Sequence, residues 1–394
     1  MERDMKRTII QYTTVVLAFL AGMIFMTYMT RMGNRDMTGD MAQAQLPVVY
    51  AEQDGVLYNE MHGYVEDMDG ASMRDSVIGV SEDHKVGLAL EKYNAQIKSV
   101  SYEVRSLDMS RLIEGGDDLQ AEDDGKYLHV SLTLKDLLTQ GEEYLLVLKV
   151  QTEDQDLVRF YSILTYLGTN HVQDCVDFAQ RFHEMTLTGD SDGVLNYLEQ
   201  DGSMDGKNLG YINIHSRSGP VTWGDMQVVE TGETSLRFTE LESDITALTM
   251  EYQVTNTETS EQYQVREAYR LRYTSTRIYL LAYERWTDKI LEPGRQLVED
   301  GKLSFGIQSS EPVYMKNTEE NVVGFVEQGQ LWSYDYGQNR LSLVYGFTDG
   351  QDGRADWKEH DFRLLKVDDT GSMDFLLYGY MNRGRYEGRS GVMF

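Results

Sequence analysis

The chain has 394 residues, of which 65 are acidic and 36 are basic, so its formal net charge is −29. Hydrophobic residues make up 41% of the chain and charged residues 26%, which is typical of folded globular domains. The negative charge argues against a nucleic acid partner, because binding phosphate requires clustered Lys and Arg, and the single cysteine excludes an internal disulfide framework and a Cys-built zinc site.

The first element in the chain is an uncharged stretch of 23 residues from Thr8 to Thr30. As an α-helix it would reach about 34 Å, enough to cross a hydrocarbon core of about 30 Å. The alternative is a cleaved signal peptide, but its apolar region would span only about 7–15 residues, with a small-residue cleavage site close behind. The sequence therefore predicts an uncleaved transmembrane helix over 8–30, with the lipid bilayer as the partner of this segment.

Basic residues beside this stretch indicate its orientation. Three precede it and two follow it, namely Arg3, Lys6, Arg7, Arg31 and Arg35. The positive-inside rule places residues 1–7 in the cytoplasm as a short tail, and the acidic bulk is easier to place away from an anionic cytoplasmic leaflet. We therefore expect a single-pass protein of the cell membrane with its large C-terminal part extracytoplasmic.

Residues 31–45 are polar and rich in Gly and Met, which favours a tether. Over 46–167 the sequence predicts a β-sandwich-like domain, because short apolar or alternating runs are separated by Gly-containing turns. These runs are Lys85–Leu90, Ile97–Ser106, Tyr127–Leu134, Tyr144–Thr152 and Leu157–Leu164. The clearest alternation puts Val100, Tyr102 and Val104 on one strand face. This spacing is typical of antiparallel sandwiches, like immunoglobulin or fibronectin modules in outline.

The pattern changes to a helical one at His171. An apolar face with helical spacing is formed by Val172, Cys175, Val176, Ala179 and Phe182. A second short helix is predicted over Ser191–Glu199, and strands follow at Tyr211–His215, Met226–Thr231, Ser235–Leu241, Ala247–Thr255, Gln262–Tyr273 and Arg277–Trp286. A helix followed by an antiparallel meander predicts an α+β domain over 168–290, with the helix on one face of the sheet. Cystatin-like and nuclear-transport-factor-like modules share that outline.

The remaining residues, 291–394, show short strands separated by hairpin turns. The runs Gly329-Gln330-Leu331-Trp332-Ser333-Tyr334-Asp335 and Asn339-Arg340-Leu341 resemble inner strands of bacterial β-propellers of the WD-repeat-like type. Propeller blades take roughly 40–50 residues and at least four are usual, so the resemblance implies a partial, truncated propeller-like segment. The alternative is a small, complete antiparallel sheet.

The wider chain also resembles uncharacterised membrane-anchored envelope proteins of Gram-positive bacteria. The segments that prompt this comparison are Tyr58–Tyr64, Tyr102–Ser106 and Gly379–Gly384, and the resemblance extends over 46–390. It implies an envelope location and brings no established activity.

Residues with catalytic or metal-binding chemistry do not occur at the spacing of a known site. Asp201–Gly206 matches the first half of an EF-hand loop, but Ile212 stands where the loop needs a bidentate Glu. Cys175 lies on the apolar stripe of its helix, which favours a buried structural thiol. Nucleophile motifs are missing and the histidines are scattered. We therefore expect no catalytic residue, no metal and no cofactor.

Two groups of residues are candidates for interactions. The loop with Arg383, Arg385 and Arg389 is a local reversal of charge, and its arginines suit a phosphate or carboxylate. The alternative is pairing with the surrounding acidic surface. Trp332 and Tyr334 belong to an aromatic cluster that fits either a partner surface or a strand core.

These patterns predict a non-enzymatic protein of the bacterial cell envelope. It would be an interaction, scaffold or regulatory module that presents β-rich modules to another membrane or envelope protein. The alternative is a hydrolase of wall glycan or peptide, because 65 acidic residues bring some carboxylates within the about 5–9 Å that such chemistry uses. A third possibility is a truncated remnant whose function belonged to missing blades.

Overall fold

The computed structural model describes residues 19–23, 41–153, 157–169, 171–201, 208–292, 297–299, 301–348 and 353–394. The predicted cytoplasmic tail, the predicted membrane helix except residues 19–23, and the predicted tether up to residue 40 lie outside these ranges. Residues 19–23 are helical. No helix of the described residues combines the length and the apolar character needed to span a bilayer. Residues 43–394 belong to one compact unit, which takes in the last three residues of the predicted tether.

Two five-stranded sheets form the first module and enclose a common core. Their strands are β1 (Val48–Gln53), β2 (Val56–His62), β3 (Val77–Ser81), β4 (Lys85–Glu91), β5 (Ile97–Arg105), β6 (Leu112–Gly116), β7 (Ala121–Asp123), β8 (Tyr127–Thr133), β9 (Glu143–Thr152) and β10 (Val158–Gly168). A 3-10 turn covers Gly70–Ser72. The strand orders are β2-β1-β4-β8-β7 and β3-β10-β9-β5-β6. The predicted alternation in β5 is confirmed, because Val100, Tyr102 and Val104 are buried.

The second sheet of the sandwich is mixed, whereas the sequence predicted only antiparallel pairing. Strand β3 pairs parallel with β10, with Val77 opposite Ile163. The reason is the path of the chain, which leaves the edge of the first sheet after β2, crosses over residues 63–76 and enters the edge of the second sheet beside β10. Strands β2 and β3 lie in a stretch whose Gly-containing turns concealed them from sequence reading.

The described residues of the second module form one long helix, two short helices and a five-stranded antiparallel sheet. Its elements are α1 (Val172–Thr188), α2 (Ser191–Leu195), β11 (Tyr211–Asn213), α3 (Ser218–Val221), β12 (Val228–Leu241), β13 (Ile245–Asn256), β14 (Gln262–Tyr273) and β15 (Ile278–Lys289), with strand order β11-β15-β14-β13-β12. The predicted helical face is confirmed, because Val172, Cys175, Val176, Ala179 and Phe182 are all buried. Helix α1 ends at Gly189, whose φ of 76° forms a left-handed cap.

The C-terminal part consists of small antiparallel sheets. Its strands are β16 (Val298–Glu299), β17 (Lys302–Leu303), β18 (Tyr314–Lys316), β19 (Val322–Glu327), β20 (Gln330–Asp335), β21 (Arg340–Tyr345), β22 (His360–Val367), β23 (Met373–Tyr380) and β24 (Ser390–Met393). Strands β18–β21 form a four-stranded sheet in chain order, β22–β24 form a three-stranded one, and β16 pairs with β17. A 3-10 turn at Gly353–Asp356 precedes β22.

The sandwich and the α+β sheet share one hydrophobic core rather than lying apart. The ring of Tyr58 in β2 lies 5.2 Å from the ring of Phe238 in β12. Beside them, the buried Asn59 side chain donates to the carbonyl of Val77 over 2.8 Å and accepts the Phe238 amide over 2.7 Å. Asn59 therefore joins β2, β3 and β12, each of which is the edge strand of its own sheet.

Candidate functional site

A cleft of about 1290 Å³ lies where the sandwich, the α+β sheet and the C-terminal part meet. We call it the inter-module cleft. Its charged and aromatic lining residues include Tyr50, Tyr58, Glu60, Asp75, Glu91, Lys126, Tyr127, Glu233, Arg237, Glu251, Arg266, Trp357, Lys358 and Glu359. Ligand sites occur preferentially between modules, and drug-sized ligands occupy about 300–1,000 Å³. The cleft therefore has room for a ligand larger than an ordinary metabolite.

One wall of the cleft is the face of the α+β sheet that α1 does not cover. Side chains alternate between the two faces of a strand, so the even-numbered residues 248–254 of β13 are buried toward the helix. The odd-numbered residues of β13 from Thr249 onward are polar, and so are the β14 neighbours of Glu251 and Gln253. Those that line the cleft are Thr249, Glu251, Gln253, Gln264 and Arg266.

Strand β12 forms the rim of this wall, because it is the last strand of its sheet. Residues 231–237 all line the cleft. The register of β12 against β13 shifts between Thr231 and Ser235, which marks a β-bulge, and Gly232 has the φ of 84° that such a bend favours. The bulge carries Glu233, and Arg237 follows after pairing has resumed. Both side chains line the cleft.

The opposite wall belongs to the first sheet of the sandwich. The Tyr50 hydroxyl donates to Glu91 over 3.5 Å, and the Lys126 Nζ lies 3.9 Å from the same carboxylate. Burial raises the pKa of Glu91, and the negative charge of Glu233 adds to the rise. Burial also raises the pKa of Tyr50. This wall therefore holds a carboxyl group that takes up a proton more readily than an ordinary Glu.

A histidine–glutamate pair lies beside this wall at the end of β2. His62 is buried, and its Nε2–H donates to Glu60 Oε1 over 2.7 Å. The imidazole stacks on Trp357, with ring centres 4.0 Å apart. Burial lowers the pKa of His62 to about 4, so the ring is neutral at pH 7. Burial alone would raise the pKa of Glu60, but the hydrogen bond from His62 and the positive charge of Arg237 lower it.

Several charged side chains of the cleft lack a direct partner. Among the described residues, six make no hydrogen bond, ion pair or cation–π contact through their side chains: Asp75, Glu233, Arg237, Glu251, Lys358 and Glu359. Burial lowers the pKa of Lys358. Burial raises the pKa of Glu359, and the charges of Asp75 and Glu251 raise it further. Four carboxylates and two cations thus face the cleft without neutralising one another by contact.

A second polar cluster lies in the core of the α+β module, on the helix side of the sheet. His183 of α1 lies between Glu267 and Glu230, with 3.2 Å to each carboxylate. Glu267 is fully buried and also accepts the hydroxyls of Tyr269 over 2.6 Å and Tyr283 over 2.8 Å. Burial alone would lower the pKa of His183, but the two carboxylates raise it. The groups satisfy one another, so this cluster holds the helix on the sheet.

The residues that sequence reasoning selected for interactions lie outside the cleft. Trp332 and Tyr334 are buried in the core of the C-terminal part, which removes them from any partner-facing surface. Arg383 is buried, and Arg389 forms a surface ion pair with Glu66. Arg385 lies 5.7 Å from the ring centre of Tyr386. The three arginines therefore do not converge on one binding point.

Sequence reasoning missed the cleft because its residues come from strands far apart in the chain. The one local signal was the polar alternation of Thr249, Glu251 and Gln253 in a strand whose other face is apolar. Nothing in the sequence indicated that the 3-10 turn before β22 would lie beside them. Cys175 is buried as predicted, and burial raises the pKa of its thiol.

No protein-family model matches the chain, and no curated protein matches it in sequence. Within the ranges that the structure describes, no group of three or more His, Cys, Asp or Glu is arranged to hold a metal ion. Most of the Asp201–Gly206 segment lies outside those ranges. The function therefore has to be argued from the cleft itself.

Proposed function

We propose that the protein is a membrane-anchored, extracytoplasmic module of a bacterial cell envelope that binds a segment of another envelope protein without catalysing a reaction. The uncharged stretch over 8–30, with its basic N-terminal flank, supports the anchor and its orientation. The resemblance of 46–390 to anchored envelope proteins of Gram-positive bacteria supports the compartment.

The observation that carries the binding function is the inter-module cleft with its unpaired charges. Six charged side chains of the described part of the cleft make no hydrogen bond, ion pair or cation–π contact; Arg237 is half-buried and the other five are exposed. They come from the loop before β3, from β12 and β13, and from the segment before β22. Their convergence from all three modules is expected of a binding site and has no evident role in stability.

A photo-crosslinking experiment tests this proposal in the organism that makes the protein. We expect p-benzoylphenylalanine at Gln253, inside the cleft, to give a covalent adduct with one envelope protein on irradiation of intact cells. The matched control carries the crosslinker at Glu122, which is exposed and does not line the cleft. Adducts that are absent at Gln253, or identical at both positions, would contradict the binding function.

The buried cysteine allows a direct test of the location. Because Cys175 is buried, a membrane-impermeant maleimide should leave the wild-type chain unlabelled. Ser110→Cys, at an exposed position, should be labelled on intact cells, whereas Arg3→Cys should react only after permeabilisation. The opposite pattern would place the acidic bulk in the cytoplasm and overturn the envelope assignment.

One observation favours the hydrolase as a second candidate. Two carboxyl groups of the cleft have pKa values shifted in opposite directions: that of Glu91 is raised and that of Glu60 is lowered. The charges of both groups add to the raised pKa of Tyr50. Such a pair is the pattern of an acid and an ionised carboxylate in glycoside hydrolysis. Release of sugars from wall material by the full-length protein, lost in Glu91→Gln, would establish this candidate in place of pure binding.

A further inference from the structure

The rim of the cleft is an unpaired strand edge. Strand β12 ends its sheet and pairs with β13 on one side, while among the described residues no strand pairs with its other side. The amide of Phe238 points to that outer side, since Asn59 accepts it there. An exposed strand edge offers a row of amide and carbonyl groups to an extended chain. Residues 231–237 place such an edge along the cleft.

The charges beside this edge have an excess of one sign. The carboxylates of Asp75, Glu233, Glu251 and Glu359 face the cleft without a contact partner. Among the described lining residues, three cations without an ion pair stand against them: Arg237 and Lys358 have no contact partner, and Arg266, opposite Glu251 in the strand register, stacks on Trp286. Like charges close together repel one another: burial raises the pKa of Glu359, and the charges of Asp75 and Glu251 add to that rise. A ligand that brings amine or guanidinium groups relieves that repulsion. A neutral glycan supplies no such charge.

We propose that the cleft binds an extended peptide segment with Lys or Arg side chains, which adds as a strand to the outer edge of β12. Side chains of such a strand alternate between the two faces of the sheet, so every second one lies on the face that carries the Glu251 carboxylate of β13. Glu233 on the bulge and Glu359 before β22 receive further basic side chains. This inference rests on the proposed binding function and adds to it the chemistry of the bound segment.

Binding of synthetic peptides to the full-length protein in detergent tests the inference. The probe is a fluorescent eight-residue peptide of alternating Thr and Lys, and its counterparts replace Lys by Gln or Glu. We expect the Lys peptide to bind at least about tenfold more tightly than either counterpart. A version with N-methyl groups on every second backbone nitrogen keeps the charges but cannot pair along one edge, and should bind at least about tenfold more weakly.

Matched variants distinguish binding to the cleft from nonspecific attraction of the peptide to an acidic protein. The triple variant Glu233→Gln, Glu251→Gln, Glu359→Gln should weaken the Lys peptide at least about tenfold. The control Asp117→Asn, Asp118→Asn, Glu122→Gln removes as much charge from an exposed loop and the adjoining strand β7, and should leave affinity within about twofold. Equal losses of affinity in the two triple variants, or equal binding of the N-methylated peptide, would overturn the inference.

The crosslinking experiment distinguishes failure of this inference from failure of the proposed function. If the Gln253 adduct forms while no Lys peptide binds, the ligand class is wrong and the binding function stands. If neither occurs, the binding function itself fails.

Discussion

At the scale of single residues, buried histidines serve two different electrostatic purposes. His183 is held between two carboxylates that favour its charged form, whereas His62 is buried against Trp357 and stays neutral. Burial lowers the pKa of both histidines, and their neighbours decide the outcome. Glu267 and Glu230 overcome burial at His183, whereas at His62 Glu60 opposes burial and the charges of Arg354 and Arg237 add to the lowering.

Removal of Glu267 should be strongly destabilising. In Glu267→Ala the hydroxyls of Tyr269 and Tyr283 and the ring of His183 lose a shared acceptor inside the core. Breaking a buried charged network in this way costs about 3–5 kcal/mol, which urea unfolding measures as a lower midpoint. The control is Glu184→Ala, an exposed residue of the same helix, for which we expect a change within about 0.5 kcal/mol. Similar midpoints for the two variants would show that the cluster contributes little.

The pKa of His62 predicts how stability depends on pH. This pKa is about 4 in the folded protein, whereas the ordinary value of an exposed histidine is 6.5, so the unfolded chain binds more protons between these two pH values. The contribution to stability is therefore complete above pH 6.5 and is lost as the pH falls toward 4, by about 3 kcal/mol. His62→Gln should flatten this part of the stability profile. An unchanged slope in His62→Gln would refute the assignment.

At the scale of elements, local pattern predicted most strands and the main helix, and tertiary context decided the rest. The spacing of apolar residues predicted helix α1, and the long alternating runs predicted strands β13 and β14. By contrast, β12 reads as two strands around Gly232-Glu233-Thr234, because such a sequence is typical of a turn. In the structure both halves keep the same partner, β13, so the segment becomes a bulge in one strand. Which partner a strand finds is a long-range property that local residues do not specify.

The contact between the edge strands β2, β3 and β12 depends on Asn59, whose φ is 54° and whose side-chain amide is buried. In Asn59→Gly the φ remains favourable, but the Phe238 amide and the Val77 carbonyl lose their partner, at a cost of about 1–3 kcal/mol. Asn59→Ala should cost about 1–2 kcal/mol more, because a left-handed conformation is unfavourable for Ala. Urea unfolding of the two variants separates the two contributions. Equal unfolding midpoints would show that the backbone conformation at residue 59 does not affect the stability of the fold.

At the scale of the whole molecule, a buried ion pair joins the beginning and the end of the compact unit. The Glu387 carboxylate accepts the amides of Gln45 and Leu46 over 2.8 Å each and lies 3.3 Å from the Arg354 guanidinium. Arg354 is fully buried and also donates to the carbonyl of Leu46 over 2.8 Å and to the Tyr380 hydroxyl over 2.9 Å. No sequence pattern predicted this contact, since its members are more than three hundred residues apart.

Two acidic residues near this junction provide a matched comparison. Glu387→Ala leaves Arg354 as a buried charge without its carboxylate and should cost about 3–5 kcal/mol. Glu66→Ala removes the partner of Arg389 at the surface and should cost at most about 1 kcal/mol. Hydrogen exchange of residues 380–390 should accelerate in the first variant alone. Identical exchange in both would show that the junction does not depend on the buried pair.

The junction also determines how the molecule responds to pulling. A force applied to the chain at Gln45 meets Glu387 and Arg354 before it reaches any strand of the sandwich. Arg354 belongs to the 3-10 turn that leads directly into Trp357, Lys358 and Glu359 of the cleft. Tension at Gln45 is therefore directed through the Glu387–Arg354 pair toward residues 357–359, which line the cleft.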